Sequence, residues 1–148
     1  MEEIVNLELV SLERFVKICE FLGVEPATDV TIFECSTLEE YSRITGMPYY
    51  IGAIYQDGII YTQPFETLRR KGCLEDVFIH ELLHHVLEKY FDLSEWMEEG
   101  LILFLLGVKP EKIYGYHRDC LLRIMKVVRY EEIPDFIDRY RRPSVEHR

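Results

Sequence analysis

The sequence is poor in side-chain amides, in closely spaced cysteines and in long apolar runs. Asn6 is its one asparagine and Gln56 and Gln63 are its two glutamines, set among 30% charged residues. Few thermolabile amides beside abundant charge is a composition associated with thermophiles. Cys19, Cys35, Cys73 and Cys120 are scattered, and no C-x-x-C pair occurs. That argues against a thiolate zinc ribbon and against a dithiol redox motif, and favours reduced, mostly buried thiols. The longest apolar run, Leu101–Leu106, has six residues, far short of the roughly 20 a membrane-spanning helix needs. The opening stretch, "MEEIVNLELV", is acidic and has neither the basic region nor the small-residue cleavage site of a secretory signal. A cytoplasmic protein without a membrane partner is expected.

Positive charge is also in short supply. The net charge is -10, and it is divided unevenly. Residues 109–148 carry ten Lys/Arg against seven Asp/Glu, and the rest of the chain carries seven against twenty. An acidic body of this kind argues against nucleic acid as a partner. The basic last part suits compensation of the acidic body, the commoner outcome, or contact with an anionic ligand. With 148 residues, of which 48% are hydrophobic, the chain suits one domain, 1–148, with a single core.

The local patterns predict an α+β protein. Apolar residues at Leu7, Val10, Phe15, Ile18, Cys19 and Leu22 recur at helical spacing until Gly23. Val30–Ser36 is β-branched and aromatic and reads as a strand. "TLEEYSRITG" suits a short helix stopped by Gly46. "YYIGAIY", "QDG" and "IIYTQP", near 49–63, form a hairpin signal with Asp57-Gly58 at the turn. Pro64 to Gly72 reads as a polar connection. A long helix is predicted near 73–91, with Glu75 and Asp76 in its acidic first turn. A second is predicted near 93–107, with Asp92 and Glu95 as its capping box. Shorter helices follow over Tyr116–Tyr130 and after Pro134.

The stretch that carries chemistry is "FIHELLHHVLEKYFDLSEWMEEGL", Phe78–Leu101. On an α-helix His80 and His84 are one turn apart and share a face, so two imidazoles can hold one zinc ion from one side. Glu81 sits about 100° further round. From there it can reach a water on the metal without becoming a ligand, which is the mechanical content of H-E-x-x-H. A catalytic zinc needs a third protein ligand and an open fourth position. His84 lies seven residues before Phe91 and Glu99 seven after Asp92. In a helical hairpin that turns there, both stand roughly 10 Å from the bend. Glu98 is nearly level with Glu99, and spacing alone does not separate the two. The opposing reading makes Ile79, Leu82, Leu83, Val86 and Leu87 an ordinary core stripe with satisfied core histidines, but two histidines and a glutamate buried together are costly without partners.

"HELLH" followed by "EWMEEGL" resembles the gluzincin metallopeptidases, the zincin branch that includes thermolysin and the aminopeptidase N-like enzymes. Their second motif typically reads Trp-Leu-Asn-Glu-Gly, and here Trp96-Met97-Glu98-Glu99-Gly100 stands in its place. The resemblance implies a zincin-like core with a small twisted sheet, with His80, His84 and Glu99 as ligands of one catalytic zinc and Glu81 as general base. "GAIYQDGIIYTQ" is similar to the aminopeptidase segment Gly-Ala-Met-Glu-Asn-Trp-Gly and the strand after it. This implies an edge strand on which Ala53 and Ile54 hydrogen bond to the substrate backbone, a form of β-augmentation. Tyr55 stands where those enzymes hold a substrate amino terminus with a glutamate, so endopeptidase or oligopeptidase activity is expected. The short His84-to-Glu99 interval fits the very small single-domain members.

The expected function is therefore zinc-dependent hydrolysis of peptides or unfolded protein. Tyr114, Tyr116 and His117 are the candidate donors to the oxyanion. His85 reads as a supporting or surface residue, and His147 as solvated. Two alternatives are a latent peptidase covered by its basic C-terminal segment and a catalytically silent, zinc-stabilised interaction domain. Composition leaves the oligomeric state open.

Overall fold

The structure is a computed structural model that describes residues 10–143. Leu7, where the first predicted helix begins, and His147 lie outside them. In chain order the elements are α1 (Glu13–Leu22), β1 (Thr31–Glu34), α2 (Leu38–Thr45), β2 (Ala53–Gln56), β3 (Ile59–Thr62), α3 (Phe65–Arg70), α4 (Leu74–Tyr90), α5 (Glu95–Leu105), α6 (Gly115–Val127) and α7 (Ile133–Asp138). Short 3-10 turns occur at Pro110–Lys112 and Tyr130–Glu132. The mixed α+β class expected from the patterning is what the described residues form, and no helix among them is long and apolar enough to cross a membrane. They divide into two compact units. One comprises the chain up to Val16 together with Ala27–His85, and the other comprises Lys17–Pro26 together with the chain from Val86.

The first unit holds the sheet, in the order β1-β3-β2. β2 and β3 form the predicted hairpin, with Ala53 opposite Thr62 and Gln56 opposite Ile59. Asp57 and Gly58 both take positive φ, 52° and 84°, as a two-residue turn that matches the strand twist requires. β1 lies parallel to β3, Ile32 level with Ile60, and both of these side chains are buried. α2 begins at Thr37, whose side chain accepts from the Glu40 N–H, while the Glu40 carboxylate accepts from the Ser36 N–H. It stops at left-handed Gly46. Buried Tyr41, on α2, donates its hydroxyl hydrogen to the Ile51 carbonyl and so ties the loop before β2 in place.

α3 departs from the polar connection read from the sequence. Its six residues bury only Leu68, so it is too short and too polar to show helical periodicity. It is held from outside itself, because the Phe65 N–H donates to the Glu34 carboxylate at 2.8 Å.

In the second unit α5 starts at Glu95, after Ser94, and makes no side-chain capping bond. The capping box assigned to Asp92 and Glu95 is therefore not formed. The Asp92 N–H instead donates to the Tyr140 carbonyl, beside a bridge between Phe91 and Arg141. The turn after α4 is thus tied down by the C-terminal segment rather than by its own cap. α6 ends at Val127, earlier than predicted, because Val128 is already extended. α7 starts one residue before Pro134, where a proline in the first turn costs no hydrogen bond.

α5 and α6 pack closely, and Gly100 is the reason they can. A Cβ at Gly100 would lie 2.6 Å from the Cys120 carbonyl oxygen and 3.1 Å from Ile124 Cβ. The first obstacle is backbone and cannot swing aside. Gly100→Ala is expected to lower stability by about 1–3 kcal/mol, visible as a melting temperature several degrees lower in a thermal scan. An unchanged melting curve would show that the two helices can separate without loss.

Candidate metal centre

α4 is apolar on most sides. Phe78, Ile79, Leu82, Leu83, Val86 and Leu87 are all buried, and four polar residues interrupt them: His80, Glu81, His84 and His85. Within the first unit, His80 and His84 present their rings together as the 3.6-residue repeat demands, with centroids 5.2 Å apart. Both are half-buried, whereas Glu81 is only 7% exposed. The charge of Glu81 reaches Tyr41. Burial first, and then Glu81, push the Tyr41 phenol above its ordinary pKa, so Tyr41 stays protonated and keeps its bond to Ile51.

His85 is buried and engaged at both nitrogens. Its Nδ1 is 2.8 Å from the Tyr55 hydroxyl and its Nε2 is 2.8 Å from the Asp29 carboxylate. The Tyr55 ring also lies parallel to the His84 ring, at 6.5 Å and 3°. His85, read from the sequence as a supporting or surface residue, is thus buried and held between two partners. Its partners Tyr55 and Asp29 were not found that way, because they lie 30 and 56 residues away and no local pattern links them.

In the second unit α5 buries Glu98 and Glu99 side by side, at 8% and 7% exposure. Adjacent buried carboxylates need compensating donors or positive charge, and His117 on α6 lies beside Glu99. Its Nε2 is 3.5 Å from Glu99 Oε2. Of the three residues considered as oxyanion donors, His117 is the one brought beside a proposed ligand. Tyr114 is 72% exposed, and the Tyr116 hydroxyl is turned to Cys120; burial and that bond push its pKa up to about 12. Two basic side chains of α6 are engaged locally. The Arg123 guanidinium lies over the Trp96 ring at 3.8 Å, and Arg118 donates to the Pro110 carbonyl. Trp96 of the Trp-x-x-Glu-Gly group is thereby anchored three residues before Glu99, and Gly100 lets α6 approach one residue after it.

No family model, no curated protein and no solved structure matches the chain. The functional reading therefore stands on these residues alone.

Proposed function

We propose that the protein is a zinc-dependent peptidase, an endopeptidase or oligopeptidase, with His80, His84 and Glu99 as the metal ligands. One observation carries this: on α4 the His80 and His84 rings share a face, 5.2 Å apart, with Glu81 nearly enclosed beside them; the third ligand, Glu99, is carried over from the motif that Trp96–Gly100 resembles. Two imidazoles and one carboxylate match the donor set of catalytic zinc, which keeps its fourth position for water.

A zinc ion held by these residues would supply a Lewis acid and a bound water of lowered pKa. Glu81, next to His80 and nearly enclosed, would serve as the general base that holds a proton and hands it to the leaving amine. Of the three candidate oxyanion donors, His117, beside Glu99, is the one this reading favours. The substrate strand would add to the open side of β2. Here the ladder adjusts the sequence reading. The Gln63 N–H bonds to the Gly52 carbonyl, and with Ile54 opposite Tyr61 this turns the Ile54 backbone groups towards β3. The groups of Ala53 and Tyr55 alternate to the other side. A docked peptide would therefore hydrogen bond to Ala53 and Tyr55, not to Ile54.

The direct test is incubation of the intact, zinc-loaded chain with an unstructured protein. Cleavage that stops on chelation supports the proposal. Equimolar zinc without cleavage favours the silent interaction domain. Cleavage only after limited proteolysis favours the latent form. Truncation after Gly107 is a poor way to seek latency, because it removes α6 and exposes the α5 surface around Gly100.

A further inference from the structure

We infer that Asp29, His85 and Tyr55 form a positioning relay that fixes the orientation of the His84 ring; the inference rests on reading His84 as a metal ligand. The relay joins three separate pieces of chain: the loop before β1, the helix α4 and the strand β2. The direction of each hydrogen bond follows from the donors available. An ionised carboxylate only accepts. Asp29 Oδ1 therefore takes the hydrogen of His85 Nε2 at 2.8 Å. That leaves His85 Nδ1 with a lone pair, and the Tyr55 hydroxyl donates to it at 2.8 Å. Both ends of the imidazole are used, so its tautomer and its ring angle are fixed together.

Tyr55 contacts two consecutive residues of α4 in two different ways. Its hydroxyl is held by His85, and its ring lies 3° from parallel with the ring of His84. His84 and His85 point about 100° apart on the helix, so one flat side chain that meets both is restricted in both of its torsions. The Asp29 side chain is 66% exposed, whereas that of His85 is 10% exposed. A surface carboxylate is thus brought to a buried ring. An apolar contact between β2 and α4 would need no such arrangement. Residues that orient a ligand without touching the metal commonly change its affinity by about 10–100-fold when lost.

The test compares the wild type with Tyr55→Phe, Asp29→Asn and the double variant, each titrated with zinc against a competing chelator. Imidazole nitrogen chemical shifts of the metal-free proteins give a second readout. The expected results are an Nε2–H tautomer for His85 in the wild type, altered in Asp29→Asn, and about 10-fold weaker zinc binding in each single variant. The double variant should bind no more weakly than the weaker single one, because both changes break the same chain. Wild-type zinc affinity in Tyr55→Phe and Asp29→Asn, with only a lower melting temperature, would reduce the relay to a structural latch and overturn the inference. Additive losses in the double variant would overturn it as well. If the wild type itself takes up no zinc, the metal reading fails and the inference falls with it. If the wild type binds zinc and the variants match it, the inference alone falls.

Discussion

Glu81→Gln is expected to abolish peptide hydrolysis while leaving zinc uptake at wild-type level. The change keeps the size of the side chain and removes its ability to hold a proton. A positioned general base contributes about 10²–10⁴-fold to such a reaction, so the residual rate should fall by roughly three orders of magnitude. The fold should survive. Glu81 is enclosed at 7% exposure, and an amide of equal volume fits the same space. Its charge also disfavours ionisation of Tyr41, so a neutral residue there places no new load on the Tyr41–Ile51 bond. The measurement is cleavage of an unfolded protein beside metal analysis of the same preparation. Retained activity would put the base elsewhere, and loss of zinc would make Glu81 a ligand.

The second large effect separates two neighbouring glutamates. Glu99→Ala should lose most of its zinc on dialysis against a chelator, and Glu98→Ala should keep it. Loss of a direct ligand should exceed the about 10–100-fold penalty of an outer residue. Both side chains are buried on α5, so burial does not decide between them, and their spacing from the turn does not either. Two features favour Glu99. It stands at the ligand position of the motif that Trp96–Gly100 resembles, and His117 stands 3.5 Å from its carboxylate. The reverse outcome would make Glu98 the third ligand. Thermal unfolding of both variants guards against reading a folding defect as a metal defect.

The features legible in the sequence are those whose causes are local. Asp57-Gly58 specifies its turn through positive φ at two adjacent positions, and β2 and β3 follow on either side. Thr37, Glu40 and Gly46 start and stop α2 within ten residues. The face of α4 that carries His80 and His84 follows from helical spacing alone. What escaped the sequence depends on partners far along the chain. α3 is anchored by Glu34, and the turn after α4 is held by Tyr140 rather than by Asp92. His85 is engaged by Asp29 and Tyr55, and His117 meets Glu99 only because Gly100 lets α6 come close to α5. Gly100 was read as part of a motif. Its physical role is that close approach, a packing reason that spacing does not reveal.

The central claim is that one divalent cation sits among His80, His84 and Glu99. Anomalous diffraction from zinc-loaded crystals, collected on both sides of the zinc absorption edge, tests it most directly. The account predicts one strong anomalous peak within coordinating distance of an imidazole nitrogen of His80, an imidazole nitrogen of His84 and a carboxylate oxygen of Glu99, with Glu81 outside that distance. A peak held by Glu98 in place of Glu99, or no peak from protein that has been supplied with zinc, would contradict it.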